Sequence, residues 1–463
     1  MKFFLFTFLL MTCFCSAQIP YQLRYEEFLS NVLKFNPLSM QAENETRYSN
    51  YLLKAAKGSF DPLLSGNYNQ KKFGGVNYFT TLNSEVKQPI FSSQYLKFGY
   101  DFGSGMYINP EQKTSSIGLP YLGIEVSVLQ GLIIDKRRAE LLKAKEYLNY
   151  YSAEKNVQLN LLLFEASQRY FEWLLSIKQV SLNQYFMELA GQRLKGIEEL
   201  VNYGERASID TVESMLYYKS RLMDYQNALI NIKKAENDMT AFNWKDNTSS
   251  DFSLKYKTLD SIETYFIKAK VFFYQNLNAE EPSNPILIKY ASFQKVLEIE
   301  NRFKKELLKP NLNLKYNLLS NNAVAYNSDF YVNNCKFGIN LSFPVFLRIQ
   351  TSEYKIAKLK SQNNNLEILN KTNELNSKIS TVKNTIVILT NQLEIAAYIS
   401  NNTKLLLDAE QLKFDNGESN LFMLNQRENK VLESEIKLAE FKLKYIVAVL
   451  NLIYLNGSLN YSF

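Results

Sequence analysis

Pro310-Asn311-Leu312-Asn313-Leu314-Lys315-Tyr316-Asn317-Leu318 alternates without a break: from Leu312 to Leu318 the even positions are apolar and the odd ones polar. A period of two gathers the apolar set on one face of an extended strand. A second strand follows, with Cys335, Phe337, Ile339, Leu341 and Phe343 on one face and Lys336, Gly338, Asn340 and Ser342 on the other. Alternation over about eight to ten residues suits a strand with lipid on one side and water on the other. It also suits a half-buried strand of a soluble sheet, and periodicity alone leaves both open.

The same signature stands earlier in the chain. Pro62-x-Leu64-x-x-x-Tyr68-Asn69 matches Pro310-x-Leu312-x-x-x-Tyr316-Asn317, and Asn36-Pro37 matches Asn284-Pro285. The prolines of each segment are 25 residues apart, 62 − 37 and 310 − 285, so the segments align without a gap at an offset of 248. Gly123-Ile124-x-Val126-Ser127 then echoes Gly338-Ile339-x-Leu341-Ser342, and Gly204-Glu205 echoes Gly417-Glu418, with 81 and 79 residues between the landmarks. Shared order and spacing indicate a duplicated architecture, and two long repeats argue against a solenoid of many short units.

Each repeat has the order helix, extended region, very long helix, tight turn, return helix. No proline interrupts Asp135 to Tyr203, and Leu182, Phe186, Ala190, Leu194, Ile197 and Val201 recur there at helical spacing. In the second repeat Leu375, Ile379, Val382, Ile386, Leu389, Leu393 and Ala396 step by four and three, as do Leu432, Ile436, Ala439, Leu443, Ile446, Leu450 and Ile453. Such heptad seams predict coiled-coil packing of antiparallel neighbours. At about 1.5 Å per residue, the helix over 135–203 measures on the order of 100 Å. A first helix over about 21–57 and a return helix over about 208–242 together match its residue count and fit beside it end to end.

The first repeat carries Leu96, Phe98, Tyr100 and Phe102, then Leu122, Ile124, Val126 and Val128, on two-residue spacing. Pro62 to Gly123 spans 61 residues against 28 from Pro310 to Gly338, an excess of 61 − 28 = 33. The excess, rich in Gly, Tyr and Asn around 71–78 and 103–110, is expected to form a long loop or extended strands at the outer surface.

The chain has no histidine, which excludes a histidine-based hydrolase triad, a histidine-ligated zinc site and haem on histidine. Its 53 basic residues are interspersed with 46 acidic ones, a mixed-sign surface rather than a nucleic-acid footprint. Sixteen glycines and ten prolines in 463 residues leave room for long uninterrupted elements. Met1-Lys2, the apolar run from Phe3 to Leu10 and Cys15-Ser16-Ala17 read as a secretory signal peptide over 1–17. A cut before Cys13 is the alternative, and would make a lipoprotein. Removing the signal leaves Cys335 alone, which excludes an internal disulfide and a cysteine-cluster metal site. No later stretch reaches the roughly 18 consecutive apolar residues of a spanning helix. The mature chain is expected beyond the inner membrane, either soluble or inserted in an outer membrane as a β-barrel.

These landmarks resemble the TolC-type outer-membrane efflux proteins over nearly the whole mature chain. The resemblance rests on Asn36-Pro37 and Asn284-Pro285, on Pro62 and Pro310, and on two turns. The turns are Tyr203-Gly204-Glu205-Arg206-Ala207-Ser208-Ile209-Asp210 and Phe414-Asp415-Asn416-Gly417-Glu418-Ser419. It implies a mainly α fold with a membrane β-barrel, in which three copies each give four strands to a twelve-stranded barrel and their helices to a periplasmic tunnel. The function it implies is a passive exit duct of a tripartite efflux or type I secretion system in a Gram-negative outer membrane. Such a duct is no enzyme and needs no cofactor or metal. Its partners would be two further copies in a homotrimer, a periplasmic adaptor (membrane fusion) protein, an inner-membrane pump and outer-membrane lipid, with no nucleic acid. The expected organisation is a first repeat over 18–242, with strands within about 62–130 and a helical hairpin over about 135–242. A linker over 243–283, helical near 262–275 and packed outside the tunnel, leads to a second repeat over 284–463. There the strands lie within about 310–346 and the hairpin over about 348–455. A different class is a periplasmic coiled-coil scaffold with a small sheet and no channel. Drugs, metal ions and polypeptides all remain open as cargo.

The resemblance makes Tyr203, Gly204, Glu205, Asp210, Phe414, Gly417 and Glu418 the periplasmic gate and adaptor-docking surface. Threefold repetition of Glu205, Asp210 and Glu418 would give acidic rings that favour cations; the same acids after tight turns also complement helix N-termini. Met423 stands in the second turn where Asp210 stands in the first. Gly204 and Gly417 suit positive φ, and Ser208 suits an N-cap. Glu26 with Glu27, Glu198 with Glu199 and Glu280 with Glu281 read as solvated surface. Asp135-Lys136-Arg137-Arg138 suits either phosphate headgroups at a barrel rim or a solvated helix start.

Overall fold

The computed structural model describes residues 21–90, 93–245, 248–249, 256–258, 260–275, 284–320 and 333–458. The segment 1–17 expected as a signal peptide and Glu280-Glu281 lie outside the described residues. Two compact units make up the chain. The first comprises Gln41–Val157 and Ser283–Ser377; the second comprises Met1–Met40, Gln158–Pro282 and Lys378–Phe463. Each unit therefore draws on both of the repeats expected from the sequence.

The first unit holds the sheet. Its strands are β1 (Leu63–Phe73), β2 (Val76–Pro89), β3 (Gln94–Ser104), β4 (Leu119–Ser127), β5 (Asn311–Leu319) and β6 (Cys335–Ser342). They pair antiparallel in chain order, so β4 of the first repeat lies beside β5 of the second. Where four strands are expected of one copy, the described residues form a six-stranded sheet. Pro62 and Pro310 match β1 to β5, and Gly123 and Gly338 match β4 to β6. The excess of the first repeat is therefore the β2–β3 hairpin, which stands between β1 and β4 instead of looping outward. Gly74 and Gly75, at φ 58° and 78°, supply the two left-handed positions of the β1–β2 turn.

The sheet has two chemically distinct faces. Val86, Phe98, Leu122 and Leu318 form one cross-strand row, and Leu96, Ile124, Tyr316 and Phe337 form the next. Phe98, Leu122, Ile124, Phe337, Ile339 and Leu341 on this face are exposed. The opposite face carries an ionic ladder: Lys97 Nζ lies 2.8 Å from Glu125 and 3.5 Å from Glu85, and Lys87 Nζ lies 3.2 Å from Glu125. Tyr121 crosses over Gly99, where a Cβ would stand 2.0 Å from its ring, and its hydroxyl donates to Glu85 at 2.8 Å.

The helices are α1 (Tyr25–Phe35), α2 (Pro37–Gly58), α3 (Lys136–Asn202), α4 (Ser208–Thr240), α5 (Ile262–Gln275), α6 (Pro285–Glu306), α7 (Arg348–Asp415) and α8 (Leu421–Leu455). The single first helix expected over 21–57 is broken at Asn36-Pro37, because proline disfavours the helical region for the residue before it. Asn36 adopts φ −71° and ψ 132°, and its Oδ1 accepts the Leu38 N–H at 2.9 Å. Asn284 repeats the device before Pro285, accepting the Ile286 N–H at 2.8 Å. The duplicated Asn-Pro is a helix start with proline at the position where no N–H is missed.

At the start of α3, Asp135 accepts the Arg138 N–H at 3.1 Å and pairs with Arg137 at 3.2 Å and Arg138 at 2.8 Å. Arg138 also donates to the Leu132 carbonyl at 3.0 Å, and the Arg137 guanidinium covers Tyr95 at 4.4 Å. Both arginines are engaged within this unit, while Lys136 between Asp135 and Arg137 is exposed.

The second unit is helical apart from two-residue strand pairs, Tyr21–Gln22 with Tyr256–Lys257 and Trp244–Lys245 with Thr248–Ser249. The expected seams are buried at Ile379, Ile386, Leu389 and Leu393 on α7, Phe186, Ala190, Leu194 and Ile197 on α3, and Leu432, Ile446, Leu450 and Ile453 on α8, while Leu375, Val382, Leu182, Val201, Ile436 and Leu443 are half-buried. α5 packs on α8, with the Phe266 and Tyr445 ring centroids 5.4 Å apart. On α1, Tyr25, Phe28, Leu29 and Val32 form the buried stripe. Tyr25 packs against Phe171 at 4.9 Å, Tyr170 at 5.3 Å and Tyr265 at 5.4 Å between centroids. Asp260 ties this aromatic cluster together, its Oδ2 accepting the Tyr25 N–H at 2.9 Å, the Tyr170 hydroxyl at 2.7 Å and the Tyr265 hydroxyl at 3.1 Å.

Among the described residues, apolar stripes on α7 and α4 are left without cover. In the first unit, Ile349, Ile356, Leu359, Leu366 and Leu369 of α7 step by seven and three, and each is more than half exposed. In the second unit, Ile209, Val212, Leu216, Met223 and Ile230 of α4 are likewise exposed. Among the described residues no helix is long and apolar enough to cross a membrane.

Burial pushes the phenols of Tyr25, Tyr170 and Tyr265 up from their ordinary values, and the Asp260 carboxylate adds to the shift at Tyr170 and Tyr265. A folded-state value above the unfolded one stabilises at pH below the unfolded value, about 10, and that stability is lost as pH rises through the folded values. The helical circular-dichroism signal is expected to hold up to about pH 10 and then to collapse together with a late rise in tyrosinate absorbance. Tyrosinate absorbance that is complete before any helix is lost would contradict the buried cluster.

Candidate functional site

The two hairpin turns close by one device. The Gly204 N–H bonds the Val201 carbonyl at 3.0 Å and the Glu205 N–H bonds the Leu200 carbonyl at 2.9 Å. In the second turn Gly417 bonds Phe414 at 3.1 Å and Glu418 bonds Lys413 at 2.8 Å. These are paired Schellman bonds, which need a left-handed residue, and the glycines have φ 77° and 78°. A Cβ at either glycine would meet nothing within 4 Å, so the requirement is of backbone alone.

Three residues on, the turns differ. Asn420 caps α8, its side chain accepting the Met423 N–H at 2.9 Å. Ala207 holds the corresponding position before α4 and carries no cap bond. Ser208, expected as that cap, is instead the first helical residue.

The structure brings Asp210 and Phe414 together through a residue to which no role was assigned. Arg206 lies 3.8 Å from Asp210, and its guanidinium sits over the Phe414 ring at 4.8 Å, linking the two turns. Asp210 also falls in the first turn of α4, where a carboxylate complements the helix dipole. Tyr203, Glu205 and Glu418 stay exposed and outside this contact. Beside the second turn, the Ser419 hydroxyl donates to Glu410, which with Lys413 and Arg427 holds that carboxyl below its usual range.

Behind the turns lies a buried ion pair that no sequence spacing indicated. Arg193 of α3 donates to both carboxylate oxygens of Glu428 on α8, at 2.8 Å for Nη1, and to Asn425 at 3.3 Å. Tyr217 of α4 donates to the same carboxylate at 3.0 Å. The Glu428 side chain is 1% exposed and that of Arg193 10%. Burial and the neighbouring Glu428 raise the Tyr217 phenol from its ordinary value. The available signal was Glu428 itself, a carboxylate where the step from Leu424 to Val431 requires an apolar seam residue.

Among the described residues no group of three or more His, Cys, Asp or Glu is arranged to hold a metal.

Arg193→Met leaves a buried carboxylate uncompensated and is expected to cost about 3–5 kcal/mol, most of it recovered when Glu428→Leu is added. Gly417→Ala should cost about 1 kcal/mol through its left-handed backbone. Thermal melting of the three variants against wild type checks both; a double variant no more stable than Arg193→Met would contradict the pairing.

No protein-family model matches the chain, and no curated relative matches it in sequence. Solved structures do match its fold. The CmeC outer membrane channel of Campylobacter jejuni has a TM-score of 0.64 at 13% identity, over 95% of this chain and 87% of that one. The outer membrane protein VceC of Vibrio cholerae gives 0.63 at 11%, over 94% and 96%. The open state of the MtrE outer membrane channel of Neisseria gonorrhoeae gives 0.64 at 13%, over 95% and 90%. At nearly full length on both sides, this chain has the fold of the outer-membrane channels.

Proposed function

We propose that the protein is a trimeric outer-membrane exit duct, a passive conduit serving a tripartite efflux or type I secretion system in a Gram-negative envelope. The observation that carries this is the two-faced sheet. A soluble protein rarely leaves a contiguous apolar patch such as Phe98, Leu122, Ile124, Phe337 and Ile339 bare. In a bilayer that face meets hydrocarbon, while the Glu85, Lys97 and Glu125 face meets water. The bare stripes on α7 and α4 favour self-association, since heptad-spaced apolar residues require a facing helix.

In this reading the strands sit in the outer membrane, the helices stand in the periplasm and α5 packs outside the tunnel. The turns form the closable entrance that docks a periplasmic adaptor bridging to an inner-membrane pump. Exposed Glu205 and Glu418 carry the ring charge, because Arg206 already offsets Asp210. The protein performs no catalytic step.

Purified protein in mild detergent is expected to run as a heat-resistant trimer and to give stepwise conductance in planar bilayers, with a preference for cations. The reversal potential should shift toward zero cation preference in the Glu205→Gln, Glu418→Gln double variant. A monomer in the soluble periplasmic fraction that gives no conductance would sink the proposal.

A further inference from the structure

We infer that the barrel wall of the assembled duct contains eighteen strands rather than twelve, because the β2–β3 hairpin is built into each copy's share of it. The inference rests on the trimeric duct proposed above.

The pairing of β4 carries the argument. If the extra residues looped outside the wall, β1 would pair with β4, as its counterpart β5 pairs with β6. Instead β4 pairs with β3 on one side, from Gln94↔Val126 to Asp101↔Leu119, and with β5 on the other, from Tyr121↔Leu319 to Ser127↔Asn313. Both edges of β4 are occupied, and β1 is held by β2 from Leu63↔Lys87 to Phe73↔Val76. An inserted hairpin adds two strands, so the antiparallel alternation survives and β1 and β6 still run in opposite directions.

The inserted strands continue both faces of the wall. Val86 and Phe98 extend the apolar row to Leu122 and Leu318, while Lys87 of β2 and Lys97 of β3 reach Glu125 of β4. A hairpin lying against the outside would have needed neither the unbroken apolar row nor ion pairs into the polar face.

The outer edges require further copies. β1 and β6 are 11 and 8 residues long, contain no proline and are exposed along most of their length. Unpaired backbone groups are not tolerated in hydrocarbon, and long flat edges without proline are uncommon in proteins that remain monomeric. Joining β6 of one copy to β1 of the next continues the antiparallel ladder. It also brings Phe337, Ile339 and Leu341 to the same side as Leu64 and Tyr68, which lie opposite Val86 and Leu82. Three copies close with eighteen strands. With strands about 4.8 Å apart and tilted about 40°, the backbone wall would be roughly 36 Å across, against about 24 Å for twelve strands, or about twice the cross-section.

Cryo-electron microscopy of the full-length protein in nanodiscs tests this by counting strands around the wall. Three copies with eighteen strands, β6 beside the next copy's β1, is the expected result. A trimer with a twelve-strand wall and the β2–β3 hairpin outside it would overturn the inference and leave the duct standing. A particle that is not a trimer would overturn both. In intact outer membranes of a Cys335→Ser strain, Asp101→Cys on β3 should cross-link within one copy to Leu119→Cys, its partner on β4. Cross-linking of Leu119→Cys to a cysteine on β1 instead would overturn the inference.

Discussion

The ladder between β4 and β5 is the constraint on which the rest of the sheet depends. It joins Leu122 to Leu318, residues 318 − 122 = 196 apart in sequence, and among the described residues it is where the two repeats share backbone hydrogen bonds within the sheet. A slip of one residue would set Lys315 and Asn317 among Ile124, Phe98 and Leu122 and break the separation of the apolar and polar faces. With that seam fixed, both faces of the neighbouring strands follow from the pleat. The first repeat could then accept two more strands on the far side of β4, because β2 closes locally on β1 through Gly74-Gly75 and short closures cost little chain entropy.

The strands that were legible in sequence are those whose outward row is purely apolar. β5 reads as leucine and tyrosine against asparagine and lysine, and β3 as Leu96, Phe98, Tyr100 and Phe102. β2 was not legible, because Thr80 and Ser84 interrupt the row that Tyr78, Leu82 and Val86 begin. β1 offers only Leu64 and Tyr68 before its polar end, as fits a strand that borders one neighbour within its own chain. The long helices were read almost to the residue, since seams repeated over many heptads leave few alternative registers. The break at Asn36-Pro37 escaped because apolar spacing runs through it, although the dipeptide that causes it was already marked as a landmark.

At the turns, local chemistry was legible and tertiary chemistry was not. Glycine at positive φ is a property of one residue, and both glycines stand as expected. The Arg206 contact with Phe414 and the Arg193 pair with Glu428 join residues more than two hundred positions apart, where spacing carries no information. Asp260 is similar: a carboxylate in a connecting segment takes its meaning from two phenols and an amide that the fold delivers to it.

The manner in which the two turns close bears on how such a protein can diversify. Each reversal is made by two backbone hydrogen bonds on a glycine, and the exposed side chains of Tyr203, Glu205 and Glu418 take no part in it. Geometry and surface chemistry are therefore separable: the outward residues can be replaced one at a time while the helices continue to arrive at the same angle. A lineage carrying this hairpin can drift to new binding preferences at its tip through steps that each leave a folded protein.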